Sequence, residues 1–162
     1  MRKPKPLELG EFYRILGKIT FSFSKIDFVI SNLAVELGLV DSYPEFYSIT
    51  SAERKIKQLR EKANELPQPK IKSQVLTWLD NIDRLREKRN MVIHSIILKN
   101  MSDENDYRLY NFKKDENGIQ RIIETYTTED FEQLDNDLIE VHNSGFCLLN
   151  EIKMSSYTEQ HI

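Results

Sequence analysis

Three observations predict a mainly α-helical chain with a small β-hairpin. Large apolar residues recur at three-and-four spacing through four long stretches, the mark of helices with one buried face. Two short alternating runs, YRLYNF and IQRIIETY, flank KKDENG, whose closing Asn117-Gly118 is a strong hairpin signal. The chain has 162 residues, 30% charged and 40% hydrophobic, which suits one soluble domain large enough to bury a core. The expectation is a bundle of about four helices, with the hairpin at about 107–125 just before the last helix, forming a single domain over residues 1–162.

The first helix is expected over about 8–37, with Phe12, Ile15, Leu16, Ile19, Phe23, Ile26, Ile30, Leu33 and Leu37 at helical intervals. Gly38 marks its end, and LVDSYPEFYS reads as a packed loop. Thr50 and Glu53 have capping-box spacing and open a second helix to about Leu66, with Ile56, Leu59, Ala63 and Leu66 inward. Pro67 and Pro69 stop it. A third helix spans about 70–99, and the polar NMSDEND after it is a surface loop. Beyond the hairpin, Thr127 or Thr128 caps a last helix, with Glu129 and Asp130 in the first turn, where the dipole favours them. Phe131, Leu134, Leu138, Val141, Leu148 and Ile152 form its buried stripe, on which Gly145 permits a close helix contact. Residues 1–8 and 155–162 are expected to fray.

The third helix carries the polar residues that most need explaining. Val75, Trp78, Ile82, Leu85, Val92 and Ile96 lie on its inward stripe, and so does Arg89. An arginine cannot be neutralised to enter an apolar environment, so Arg89 requires an anion: a carboxylate, in the neighbourhood of Glu87 or on another helix, such as Asp27 or Glu36, or a phosphate arriving with a ligand. Asn90 lies four residues before His94 and shares its face, while His94 is about 140° around the helix from Arg89. One straight helix does not bring Arg89 and His94 to one atom. A kink, or a second copy of the helix packed across the seam, would, and a symmetric dimer is the economical arrangement.

Arg89, Asn90 and His94, spaced Arg-Asn-x-x-x-His in the second half of a long helix, resemble the signature of the HEPN superfamily. The resemblance implies a helical bundle that forms a homodimer through the motif helix. It further implies a metal-independent endoribonuclease with a composite site at the dimer interface, in a toxin, stress or antiviral defence setting. Other members are non-catalytic dimerisation modules or modules that bind nucleotide or RNA, and this stands as the alternative. His94 is followed by Ser95 and Ile96 rather than by the His-x-Tyr of toxins that pair with a nucleotidyltransferase antitoxin. An antitoxin or regulatory protein remains within the implied range of partners, with RNA as the substrate.

The residue types suit that chemistry. Metal-free RNA cleavage needs a base for the 2′-hydroxyl proton, an acid for the departing 5′ oxygen, and a cation for the charge on phosphorus. Histidine moves protons near neutral pH, and the arginine fork grips two phosphate oxygens. By resemblance Arg89, Asn90 and His94 are the catalytic set, with Asn90 orienting the histidine or binding phosphate. Arg86, Lys88 and Ser95 are candidates for substrate contact.

Charge supports the location more than the total does. The net charge is −3, which argues against holding nucleic acid by bulk electrostatics. Residues 70–99, however, carry seven cations against three acids, a net +4 that leaves −7 for the rest. No metal site or cofactor is expected, because His142 and His161 share no ligand spacing with His94 and no phosphate-binding glycine pattern occurs. The single Cys147 excludes an internal disulfide and reads as a small core residue. Tyr107, Tyr110 and Phe112 suit either base stacking or core packing. No run approaches the length of a membrane span, and MRKPKPLELG lacks an apolar signal core. A cytoplasmic protein without membrane contact is therefore expected.

Overall fold

A computed structural model describes residues 9–49, 51–100, 106–116 and 118–159. The chain is mainly helical, in the order α1 (Leu9–Glu36), α2 (Tyr43–Tyr47), α3 (Ala52–Asn64), α4 (Pro69–His94), β1 (Ile96–Lys99), β2 (Asp106–Asp115), β3 (Gly118–Thr127) and α5 (Thr128–Glu159). It divides into two compact units whose boundaries fall inside α1, α4 and α5: residues 1–20 with 85–137, and residues 21–84 with 138–162.

The unit that contains the motif is built around an antiparallel sheet in the order β1-β2-β3. The hairpin is present as read, but its two-residue connection is Glu116 and Asn117, because Asp115 pairs with Gly118. Gly118 has φ +114, which a glycine adopts without steric penalty; Asn117 lies outside the described residues. One sheet face is buried through Ile97, Tyr107 and Leu109. Tyr107 donates a hydrogen bond to Glu11 Oε1 at 2.8 Å and meets Phe131 edge-on at 5.4 Å between centroids. The start of α5 is closed by a reciprocal cap. Asp130 N donates to Thr127 Oγ1 at 3.1 Å, and Thr127 N donates back to Asp130 Oδ2 at 2.7 Å.

Two corrections concern the end of α4. The helix stops at His94, not at residue 99, and residues 96–99 form a third strand in register with β2, Ile96 opposite Tyr110. Strand alternation then replaces the helical stripe: Val92 is fully buried, but Ile96 is 59% exposed and Ile97 turns inward. The β-branched pair Ile96-Ile97 suits a pleated strand, and an apolar run this short does not distinguish the two periods by itself.

The second unit packs the rest of α1 with α2, α3, the first part of α4 and the rest of α5. Its core includes Ile26, Ile30, Leu33, Phe46, Leu59, Val75, Leu79 and Ile82. At the end of α1, Gly38 at φ +65 completes a left-handed cap in which Leu39 N donates to Ala34 O and Gly38 N to Val35 O. The stretch read as a packed loop contains α2, with Pro44 in its first turn and Phe46 buried. Ser51, accepting from Arg54 N, is the N-cap of α3, whereas Thr50 lies outside the described residues.

Gly145 makes the close contact expected of it. A Cβ there would clash with the Trp78 ring, and the Trp78 indole donates to Val141 O at 2.8 Å. Cys147, read as a core residue, is exposed because it lies off the α5 stripe of Leu138, Val141, Gly145 and Leu148. The helix also continues through residues 155–159, where fraying was expected.

Lys55 is the unforeseen core residue of this unit. It is 2% exposed and pairs with Asp27 at 2.8 and 3.0 Å, with a third bond to the Tyr47 carbonyl at 3.3 Å. Its ammonium also lies 5.0 Å from the Tyr47 ring centroid. Asp27→Ala, which strands this buried charge, is expected to destabilise by about 3–5 kcal/mol in urea titration, while the paired change Lys55→Met, Asp27→Leu is expected to be near neutral.

In the sheet-containing unit, burial, aided by Glu124 and Asp130, pushes the Tyr126 phenol up to about 12. The neutral phenol is thus favoured by folding. Its contribution is complete below the unfolded pKa of about 10 and is lost as pH rises towards 12. Tyr126→Phe is expected to flatten the alkaline loss of stability across that window, followed by denaturant midpoints at stepped pH.

Candidate functional site

The Arg-Asn-x-x-x-His residues occupy the last two turns of α4, inside the sheet-containing unit. Leu85 and Val92 are fully buried and anchor these turns, so Arg89, between them on the same stripe, is drawn inward. Arg89 is half-buried, and its Nη1 donates to Asn90 Oδ1 at 2.9 Å. Burial lowers the pKa of the guanidinium, which nevertheless stays charged near neutrality. Asp27 and Glu36, the carboxylates offered by the sequence as structural partners for Arg89, are engaged by Lys55 and by Lys153 at 3.3 Å.

His94 is the last residue of α4 and is exposed. The structure therefore brings Arg89 and Asn90 together and sets His94 one turn beyond them, at the point where the helix gives way to β1. Lys88 is exposed, and Arg86 is half-buried. Ser95 is partly buried, and its hydroxyl donates to the Met91 carbonyl, closing the final turn.

Asn111, which the sequence reading passed over, ties this turn to the sheet. Its Nδ2 reaches Met91 Sδ at 3.6 Å, and the same sulfur receives the Ser95 hydroxyl at 3.3 Å. A polar residue on a strand carries no signal in sequence that it faces a helix end. Here its parity with Tyr107 and Leu109 puts it on the packed face of β2.

Two clefts are lined by other residues. One of about 190 Å³ in the sheet-containing unit is lined by Arg14, Lys18, Thr128 and Asp135 among others. Another of about 740 Å³ in the second unit lies over Gln74, Trp78 and Leu148. Neither contains a residue of the motif. Among the described residues no cluster of three or more His, Cys, Asp or Glu side chains could hold a metal ion. His142 is half-buried and contacts Asn143 Oδ1 at 3.1 Å, and His161 lies outside the described residues. No helix among the described residues is long and apolar enough to cross a membrane.

Comparison with models of known families, with curated proteins and with solved structures gives no match. The arrangement must therefore be judged by its chemistry. A fixed guanidinium grips a phosphate oxygen pair, and an exposed imidazole moves protons. Asn90→Ala removes the acceptor that steadies the guanidinium and is expected to lower stability by about 1–2 kcal/mol in urea titration.

Proposed function

We propose that this chain is a metal-independent endoribonuclease of the HEPN type, acting as a homodimer whose motif helices pair. The observation that carries the reading is the Arg-Asn-x-x-x-His set at the end of one helix, with Arg89 held by Asn90 and His94 exposed to solvent. The mainly helical architecture is compatible with it.

In the dimer, two copies of Arg89 and His94 converge on one scissile phosphate. One imidazole takes the proton of the ribose 2′-hydroxyl, and the freed oxygen attacks phosphorus. The bond from phosphorus to the 5′ oxygen breaks, and the second imidazole, as imidazolium, delivers a proton to the departing oxygen. The products are a 2′,3′-cyclic phosphate and a 5′-hydroxyl. Arg89 holds the non-bridging oxygens as charge builds on them. Asn90 fixes the guanidinium in its working direction, and the exposed Lys88 and half-buried Arg86 attract the flanking backbone. A defence or stress setting and an antitoxin or regulatory partner belong to the same proposal.

The test is incubation of the full chain in EDTA with a mixed pool of single-stranded and structured RNA. Wild type is expected to cut and to leave 2′,3′-cyclic ends. His94→Ala is expected to lower the rate by about 10²–10⁴-fold, with its circular dichroism and dimer mass unchanged. Arg89→Ala is expected to fall as far. Cleavage at the wild-type rate by both variants would overturn the catalytic assignment. An inert wild type that still dimerises would favour a binding module.

A further inference from the structure

The outward face of the three-stranded sheet has a composition that packing within its own unit does not require. Strand alternation and register place Ile97, Tyr107 and Leu109 on the packed face. The opposite face holds Ile96, Phe112, Ile119 and Ile123 at 59, 58, 74 and 45% exposure. A sheet covered on one side ordinarily shows polar residues on the other. Here exposed apolar residues stand beside the cationic Arg108 and Arg121 instead.

The register sets them in cross-strand rows. Leu98, Arg108 and Thr125 form one, Ile96, Tyr110 and Ile123 the next, and Phe112 with Arg121 the third. Rows lie about 7 Å apart, two residues along a strand. Arg108 and Arg121 are exposed and no acidic residue occurs in any of the three rows, the nearest on this face being Asp106, opposite Thr127 in the row beyond Arg108. Rows that alternate apolar or aromatic surface with guanidinium match a ligand that alternates flat bases with phosphates.

We infer that this face is a stacking platform for single-stranded RNA, with Phe112 and Tyr110 taking bases and Arg108 and Arg121 taking phosphates. The choice of RNA rests on the nuclease reading, which it deepens by naming an unpaired strand as substrate. The chain path supports it. His94, exposed at the end of α4, is separated from Ile96 on this face only by Ser95. The platform thus begins two residues from the histidine of the proposed site.

The test measures binding apart from cleavage. A fluorescein-labelled 2′-O-methyl oligonucleotide of about twelve nucleotides has no free 2′-hydroxyl to attack, and its anisotropy is followed with the full chain in EDTA. Wild type is expected to bind. Phe112→Ala is expected to weaken binding by roughly 5- to 100-fold, and Arg121→Ala to lower the slope of log affinity against log salt by about 0.7. Both side chains are exposed, so melting temperatures should hold. Affinities and slopes equal to wild type, or no binding by wild type, overturn the platform.

Loss of dimer mass in Phe112→Ala with RNA affinity retained would assign the face to a second copy and also overturn it. The two readings fail separately. RNA bound through the sheet but never cut leaves the platform standing without the nuclease. RNA cut by wild type and by Phe112→Ala alike, with equal affinities, leaves the nuclease without the platform.

Discussion

At Ser95 the backbone changes its repeat from 3.6 residues to two, and the arrangement of the sheet-containing unit depends on that change. Up to Val92 the apolar face of α4 is buried at helical spacing. After Ser95, Ile97 is buried and Ile96 is not. The Ser95 hydroxyl bonds back to the Met91 carbonyl and closes the last turn, and Asn111 meets the Met91 sulfur from β2. Had the helix run on for one more turn, β2 would lack its neighbour on that side, and His94 would lie within a helix instead of at its end.

The four long helices were legible because each carries its core stripe in plain view. Phe131, Leu134, Leu138 and Val141 recur at intervals no strand would use, and all are buried. Gly145 was legible by the same logic, since a residue without a side chain on that stripe implies a neighbour pressed close. Strand β1 was not, because IILK reads equally as the tail of a helix, and its pairing partner lies on β2, after a loop. Lys55 was hidden for a related reason. Its carboxylate partner, Asp27, lies on another helix, so nothing adjacent in sequence announces that a lysine is buried.

For the candidate site, sequence supplied the residue types and their spacing along one helix. Structure adds which of them touch: Arg89 and Asn90 are bonded, and His94 is exposed at the end of the helix. The placement of the aromatic residues could not be read in advance. Tyr107 and Phe112 differ in parity on one strand, which sends the first into the core and the second to the surface. Parity becomes informative only once one buried residue fixes which face is covered.

The close approach of Gly145 to Trp78 has a spectroscopic consequence. Trp78 is the only tryptophan in the chain, 4% exposed and bonded through its indole to Val141 O, so its emission reports on the second unit alone. During denaturation Trp78 emission therefore follows the second unit, while far-ultraviolet circular dichroism follows the helices of both. Coincident transitions mean that the units unfold as one cooperative body, and separated transitions mean that the part carrying the motif has a stability of its own.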